Sequence, residues 1–410
     1  MSKRILYIDL APHPGGSIIS LARLLQGLDR TRWRPMVALS RQNEFTGFKN
    51  MGVPVVRVRT PQWEKRTAGP VDAIRQGKAG ESARKTPGVS RLWHLAGTLR
   101  YWRRDIWPVA NALFPVIAEY DPALVHLNDS LPLVRHGVLA AWRARRPVLV
   151  HSRSLVAPSA YDRLLLAPRL SGMIFISQAV AQHQLQRLGA PPPYRVIPNA
   201  VDLERFATPV DRAAVRKALG VPLDAPLIGV IGRIVPWKGQ RVFIEAFARL
   251  RQRRPDAVAA IVGAPDSGRG EQYRRELQHL ARVLGVENSL LWLGRRSDIP
   301  QLLASFDILA HCSVEPEPFG RVIIEGMAAG TPVIASDAGG AREIVENEIN
   351  GLLTPPGDAQ ALAAAMQRLL EDHRLRTNLQ ENARSSATQR YNLAAHVNAV
   401  TSFYEDILGG

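Results

Sequence analysis

The chain has 410 residues, of which 46% are hydrophobic and 22% charged, and it contains one cysteine, Cys312. That length suits two domains rather than one core, and the composition excludes a disordered or collagenous chain, a disulfide scaffold and a cysteine-based metal cluster. The formal charge of +17 belongs to the first half: residues 1–200 hold 29 Lys and Arg against 11 Asp and Glu (+18), and residues 201–410 hold 24 against 25 (−1), which points to a polyanionic partner, nucleic acid or acidic membrane.

In chain order, Met1 to Asp9 (MSKRILYID) predicts a first strand, because its apolar run is too short, and too soon followed by Pro12, Pro14 and Gly15, for a signal peptide. Further strands are expected at Arg34–Ala38, Val53–Arg57, Leu124–Leu127, Val148–His151 and Met173–Ile176. The pattern restarts with Leu227–Ile231, Val258–Val262, Leu290–Leu293, Ile308–His311 and Pro332–Ala335, with helices such as Gln240–Arg251 and Glu271–Leu284 between them. Such alternation predicts βα units and parallel sheets. Three prolines in APPPY (Ala190–Tyr194) stiffen a connection, which sets the expected domains at 1–197 and 198–388, with a C-terminal helix at 389–410 folding back onto the first.

One stretch fits neither pattern. Arg57 to Arg104 carries 12 Lys and Arg against 3 Asp and Glu, interleaved with Trp63, Trp93, Tyr101 and Trp102, and reads as an inserted loop followed by a basic, aromatic helix. No run of about 18 uncharged apolar residues occurs, so no membrane span is predicted and a cytoplasmic location is expected.

The segment richest in chemistry is EPFGRVIIEGMAAGTPVIASDAGGAREIV, from Glu317 to Val345. Pro318 and Gly320 put Glu317 in a tight turn, and a helix is expected from Arg321 to Ala329. The amides of Phe319, Gly320, Arg321 and Val322, with the helix dipole behind them, make a site for a diphosphate. Of Glu317 and Glu325, one carboxylate would face a group beyond the phosphates and the other the ribose. Strand Leu227–Ile231 ends in Gly232 and Arg233, with Lys238 and Gly239 shortly after. Two cations at a strand's C-terminal edge suit a leaving diphosphate. In the first half Gly15 and Gly16 precede a helix, but the G-x-G-x-x-G fingerprint of dinucleotide binding is absent. His126 ends the run ALVH and His151 the run PVLVH.

These motifs, VIPNAVD at Val196, GRIVPWKG at Gly232, EPFGRVIIEGMAAGTPVIAS at Glu317 and NGLLTPPGD at Asn350, resemble glycosyltransferase family 4, over essentially the whole chain. The resemblance implies the α/β GT-B fold, two Rossmann-like domains with parallel sheets facing a central cleft. It implies a retaining, metal-independent transfer from a UDP- or GDP-linked sugar to a glycan or lipid-linked acceptor. It also implies that Arg233 and Lys238 hold the donor diphosphate, Glu317 meets the sugar hydroxyls and Glu325 the ribose. Gly16 would offer its amide to the distal phosphate, and His151 would lie beside donor sugar and acceptor. Ala200 stands where the family often has glycine. No cofactor, metal or nucleic acid is expected. The alternatives are a catalytically silent scaffold that only binds, and an inverting transferase or sugar-nucleotide epimerase.

Overall fold

The computed structural model describes residues 2–60, 97–265 and 267–409. Most of the basic segment, with Trp63 and Trp93, lies outside the described residues. By internal contacts the chain divides into one unit of Met1–Ile174, Gln184–Arg195 and Thr401–Gly410, and a second of Phe175–His183 and Val196–Val400.

The first unit is built on a seven-stranded sheet in the order β3-β2-β1-β4-β5-β6-β7. Its strands are β1 (Lys3–Asp9), β2 (Trp33–Ser40), β3 (Val55–Val58), β4 (Leu124–Leu127), β5 (Val148–Ser152), β6 (Gly172–Phe175) and β7 (Tyr194–Val196). β1 runs parallel to β2 and β4, β2 to β3, and β4 to β5. The apolar runs behind the expected strands become the buried centre: Ile5 to Ile8, Leu124, Val125 and Val148 to Val150 are all 1% exposed or less. Covered on both faces by helices, such strands need continuous rather than alternating apolar sequence.

The second unit repeats the plan. β8 (Leu227–Ile231), β9 (Val258–Val262), β10 (Leu290–Gly294), β11 (Ile308–His311), β12 (Val333–Ser336) and β13 (Leu352–Thr354) form a sheet in the order β10-β9-β8-β11-β12-β13, all five pairs parallel. The helix Gln240–Arg251 buries Phe243, Ile244 and Phe247 against it, and Ala359–Glu371 adds Met366 and Leu369 to the same core.

Both sheets reverse direction beside their first strand, between β1 and β4 and between β8 and β11. At such a switch point the crossovers leave to opposite faces and open a crevice at the strands' C-terminal ends, where ligands of open α/β sheets bind. The motif residues of the second unit fall at that edge. Two short strands were not expected: β7 follows immediately on the three prolines, and β13 is only three residues long at a sheet edge. Neither carries a run long enough to stand out by pattern.

Candidate active site

The helix Arg321–Ala329 starts where the sequence placed it. Gly320, at φ 106°, turns the chain into it, no side chain caps its first amides and no acid lies in its first turn. The positive end of the dipole is therefore offered to an anion. Gly339 and Gly340 fix the turn before it from below: Gly340 N donates to Glu317 O at 2.8 Å, and a Cβ on Gly340 would stand 2.5 Å from Phe319 Cα. Backbone packed this closely on backbone admits no side chain.

Glu317 is held by groups from two further loops. Lys238 Nζ donates to both carboxylate oxygens at 2.7 Å, His311 Nε2 donates to Oε2 at 2.5 Å, and Ser313 Oγ donates to Oε2 at 2.9 Å. His311 ends β11 and is itself buried. Burial works against the ionised Glu317, but the electrostatic pull and hydrogen bonds of His311 and Lys238 outweigh it and hold the carboxyl well below the usual carboxylate range. Lys238 reaches it because Gly239, at φ 69°, lets the loop after β8 press on the loop after β11: a Cβ there would lie 1.8 Å from Cys312 O. Val314 N also donates to Trp237 O at 2.9 Å, and the Trp237 ring lies 4.5 Å from Lys238 Nζ. Burial pushes the Cys312 thiol up to about 12, so Cys312 is a packing residue and no nucleophile.

Arg233 sits at the exposed start of the Lys238 loop, and its carbonyl accepts from Gln240 at 2.7 Å. Glu325 lies one helical turn beyond the uncapped amides and accepts from Arg321 at 3.1 Å. Phe319 is buried against the ring of Tyr391. The structure thus joins Glu317 to Lys238 and sets the amides of the 319–322 turn beside them, with Arg233 and Glu325 on the flanking loop and helix. Sequence reasoning missed His311 and Ser313. The signal was the polar pair in HCS, at the end of an otherwise apolar strand, where polar side chains at a switch point are candidates for ligand or support.

The remaining candidates belong to the first unit. Gly16 opens the helix Gly16–Gln26, which has Gly15 as its cap and neither a side-chain cap nor an acid in its first turn. His151 is buried in β5 and Arg153 donates to its Nδ1 at 3.2 Å. Arg153 also donates to Asn128 Oδ1 at 2.7 Å, and Asn128 donates to Asp9 Oδ2 at 2.7 Å. Burial pushes the Asp9 carboxyl up against these hydrogen bonds, and burial, with Asp9 nearby, pushes Asp129 up to about 6. His126 packs on His151 and bonds through Nδ1 to the Tyr404 hydroxyl at 2.6 Å, which fixes it inside the core.

Known proteins share this architecture. A model of Glycosyltransferase Family 4 matches residues 14–205 and one of Glycosyl transferases group 1 matches 211–386. The D-inositol 3-phosphate glycosyltransferase of Saccharomonospora viridis is 32% identical over 350 residues, covering 82% of this chain and 74% of that protein. The Anabaena protein HepE, solved in complex with UDP and glucose, aligns with a TM-score of 0.80 and 29% identity over 98% of this chain and 99% of that one. A glycosyltransferase from Rickettsia africae, at 23% identity over 99% of both chains, shares the fold with a TM-score of 0.78.

Proposed function

Because the chain belongs to the family 4, group 1 glycosyltransferases, enzymes of the GT-B fold, we propose that it moves a hexose, with retention of anomeric configuration, from a nucleotide-sugar donor to a glycan or lipid-linked acceptor in cell-surface polysaccharide or glycolipid biosynthesis. Of the UDP- and GDP-linked donors, the complex of HepE with UDP-glucose favours UDP.

The observation that carries this reading is the Glu317 carboxylate, kept ionised at the switch point beside an uncapped helix N-terminus. In the proposed complex Lys238, Arg233 and the amides of the 319–322 turn receive the diphosphate, Glu325 takes the ribose, and the Glu317 oxygens accept from sugar hydroxyls. Gly16 N–H meets the distal phosphate and His151 lies by the donor sugar and acceptor. As the glycosidic bond breaks, charge gathers on the phosphate oxygens; fixed cations and amides stabilise that charge more than the ground state, so they lower the barrier. The acceptor hydroxyl then enters on the face the diphosphate leaves, through an oxocarbenium-like state, and passes its proton to the departing phosphate oxygen as its own bond to the anomeric carbon forms, which retains the configuration. The charge on the first half, +18 over residues 1–200, supports a peripheral site of action on the inner face of an anionic cytoplasmic membrane.

Incubation with UDP-hexoses tests the reading. Release of UDP is expected, undiminished by excess EDTA, and the glycoside formed keeps the donor's anomeric configuration by NMR. Turnover that EDTA abolishes and Mg²⁺ or Mn²⁺ restores, or an inverted product, would count against it.

A further inference from the structure

Three segments of the first unit meet and turn large apolar side chains outward. Residues 97–101 are helical and pass through the π-helical turn Trp102–Ile106 into the helix Trp107–Tyr120, which packs along Leu131–Arg143; the turns Asp162–Leu166 and Ala167–Arg169 follow nearby. Arg135 locks them together. It donates through Nε and NH2 to the two oxygens of Asp162 at 2.7 Å each, donates to the Tyr101 hydroxyl at 3.2 Å and lies 4.7 Å from the Tyr161 ring centroid.

The inward side of this layer is already filled by Val109, Ala110, Leu113 and Ile117. Yet Leu99 is 63% exposed, Trp107 47%, Trp142 50%, Leu164 64% and Leu165 50%. Scattered exposed leucines are ordinary, but two tryptophans and three leucines on adjoining segments are not. Arginines tie them into one surface. The Arg143 guanidinium lies 5.1 Å from the Trp107 ring and 4.8 Å from Phe114, and that of Arg169 lies 4.6 Å from Trp142. Arg100, Arg103, Arg104 and Arg163 are exposed on the same segments, where the acids are Asp105, half-buried, Glu119, exposed at the far end of the helix Trp107–Tyr120, and Asp162, which is buried and neutralised by Arg135.

We propose that this face docks on an anionic lipid bilayer, the leucines entering the acyl boundary, Trp107 and Trp142 lying at headgroup level and the arginines pairing with lipid phosphates. The proposal rests on the membrane-proximal reading above and gives it a place on the molecule. Indole prefers the headgroup region, and an arginine stacked on it keeps its stem dry while its charge reaches the phosphates. A second copy of the chain would oppose like charges across the same face, which disfavours self-association.

The test is co-sedimentation of the full chain with neutral vesicles and with vesicles holding about a third phosphatidylglycerol. Wild type binds the acidic vesicles, more weakly as salt rises, and its tryptophan fluorescence is quenched by brominated lipid. The variant Trp107→Ser/Leu164→Ser/Leu165→Ser, checked for an unchanged melting curve, binds at least about tenfold more weakly, and Arg103→Gln/Arg104→Gln about three- to tenfold more weakly. UDP release without vesicles stays unchanged in both. If wild type binds while both variants bind equally well, the assignment of this face is wrong although the membrane reading survives. If wild type ignores acidic vesicles at low salt, both fail. If it self-associates instead, and the triple substitution abolishes that, the face is a protein interface and the proposal is overturned.

Discussion

The first six strands of the two sheets follow the same order, yet the carboxyls at their switch points shift in opposite directions. In the second unit Glu317 is surrounded by Lys238, His311 and Ser313, and its proton is lost far more easily than in water. In the first unit Asp9 and Asp129 meet mainly amides and burial, and both hold their protons more tightly than in water. Buried charge is costly unless paired, so the number of cations within reach decides which way each carboxyl shifts. The second site thus holds fixed, paired charge, the property that the proposed departing diphosphate would draw on.

The most direct way to break the contrast is Glu317→Gln. Turnover is expected to fall by roughly 10² to 10³, since the amide accepts poorly from sugar hydroxyls and no longer fixes its partners. UDP affinity by isothermal titration is expected to hold or rise, because Lys238 is released from the carboxylate; a large loss of UDP affinity would mean that Glu317 serves the nucleotide. Removing the cations comes next. Lys238→Ala and Arg233→Ala are each expected to lower kcat/KM on the order of 10², as for other preorganised charge donors, and rates within about threefold of the parent would class them as surface residues.

His311 is buried between these groups and acts on Glu317 as a positioning residue. His311→Ala is expected to lower kcat roughly tenfold with little change in UDP affinity, the loss of one charge-assisted hydrogen bond. An unchanged kcat would show that Lys238 and Ser313 suffice. The smallest effect belongs to the first unit. An ordinary Asp loses its proton near 3.8 and Asp129 only at about 6, so between these values the native state binds the extra proton and Asp129 disfavours folding increasingly as pH rises. Relative to wild type, Asp129→Asn is expected to gain about 2–4 °C in melting temperature as pH goes from 4 to 7. A pH-independent difference would remove the burial argument.

Much of this was written locally. Strands Leu124–Leu127, Leu227–Ile231, Val258–Val262 and Ile308–His311, and helices Gln240–Arg251 and Arg321–Ala329, run over the residues their apolar runs, glycines and prolines indicate. A fully covered parallel strand must be apolar throughout and a helix must show its period, so such elements are legible within a dozen residues. So were the glycines that bring the loops together, though not what they bring together. That Lys238 would close on Glu317, 79 residues later, with His311 and Ser313 completing the shell, was decided by the β8–β11 crossover. That His126 would be tied to Tyr404, 278 residues on, was decided by the C-terminal helix returning to the first unit. Backbone pattern is set by neighbours in sequence, whereas charge pairing and burial depend on neighbours in space, and those exist only once the sheets have formed.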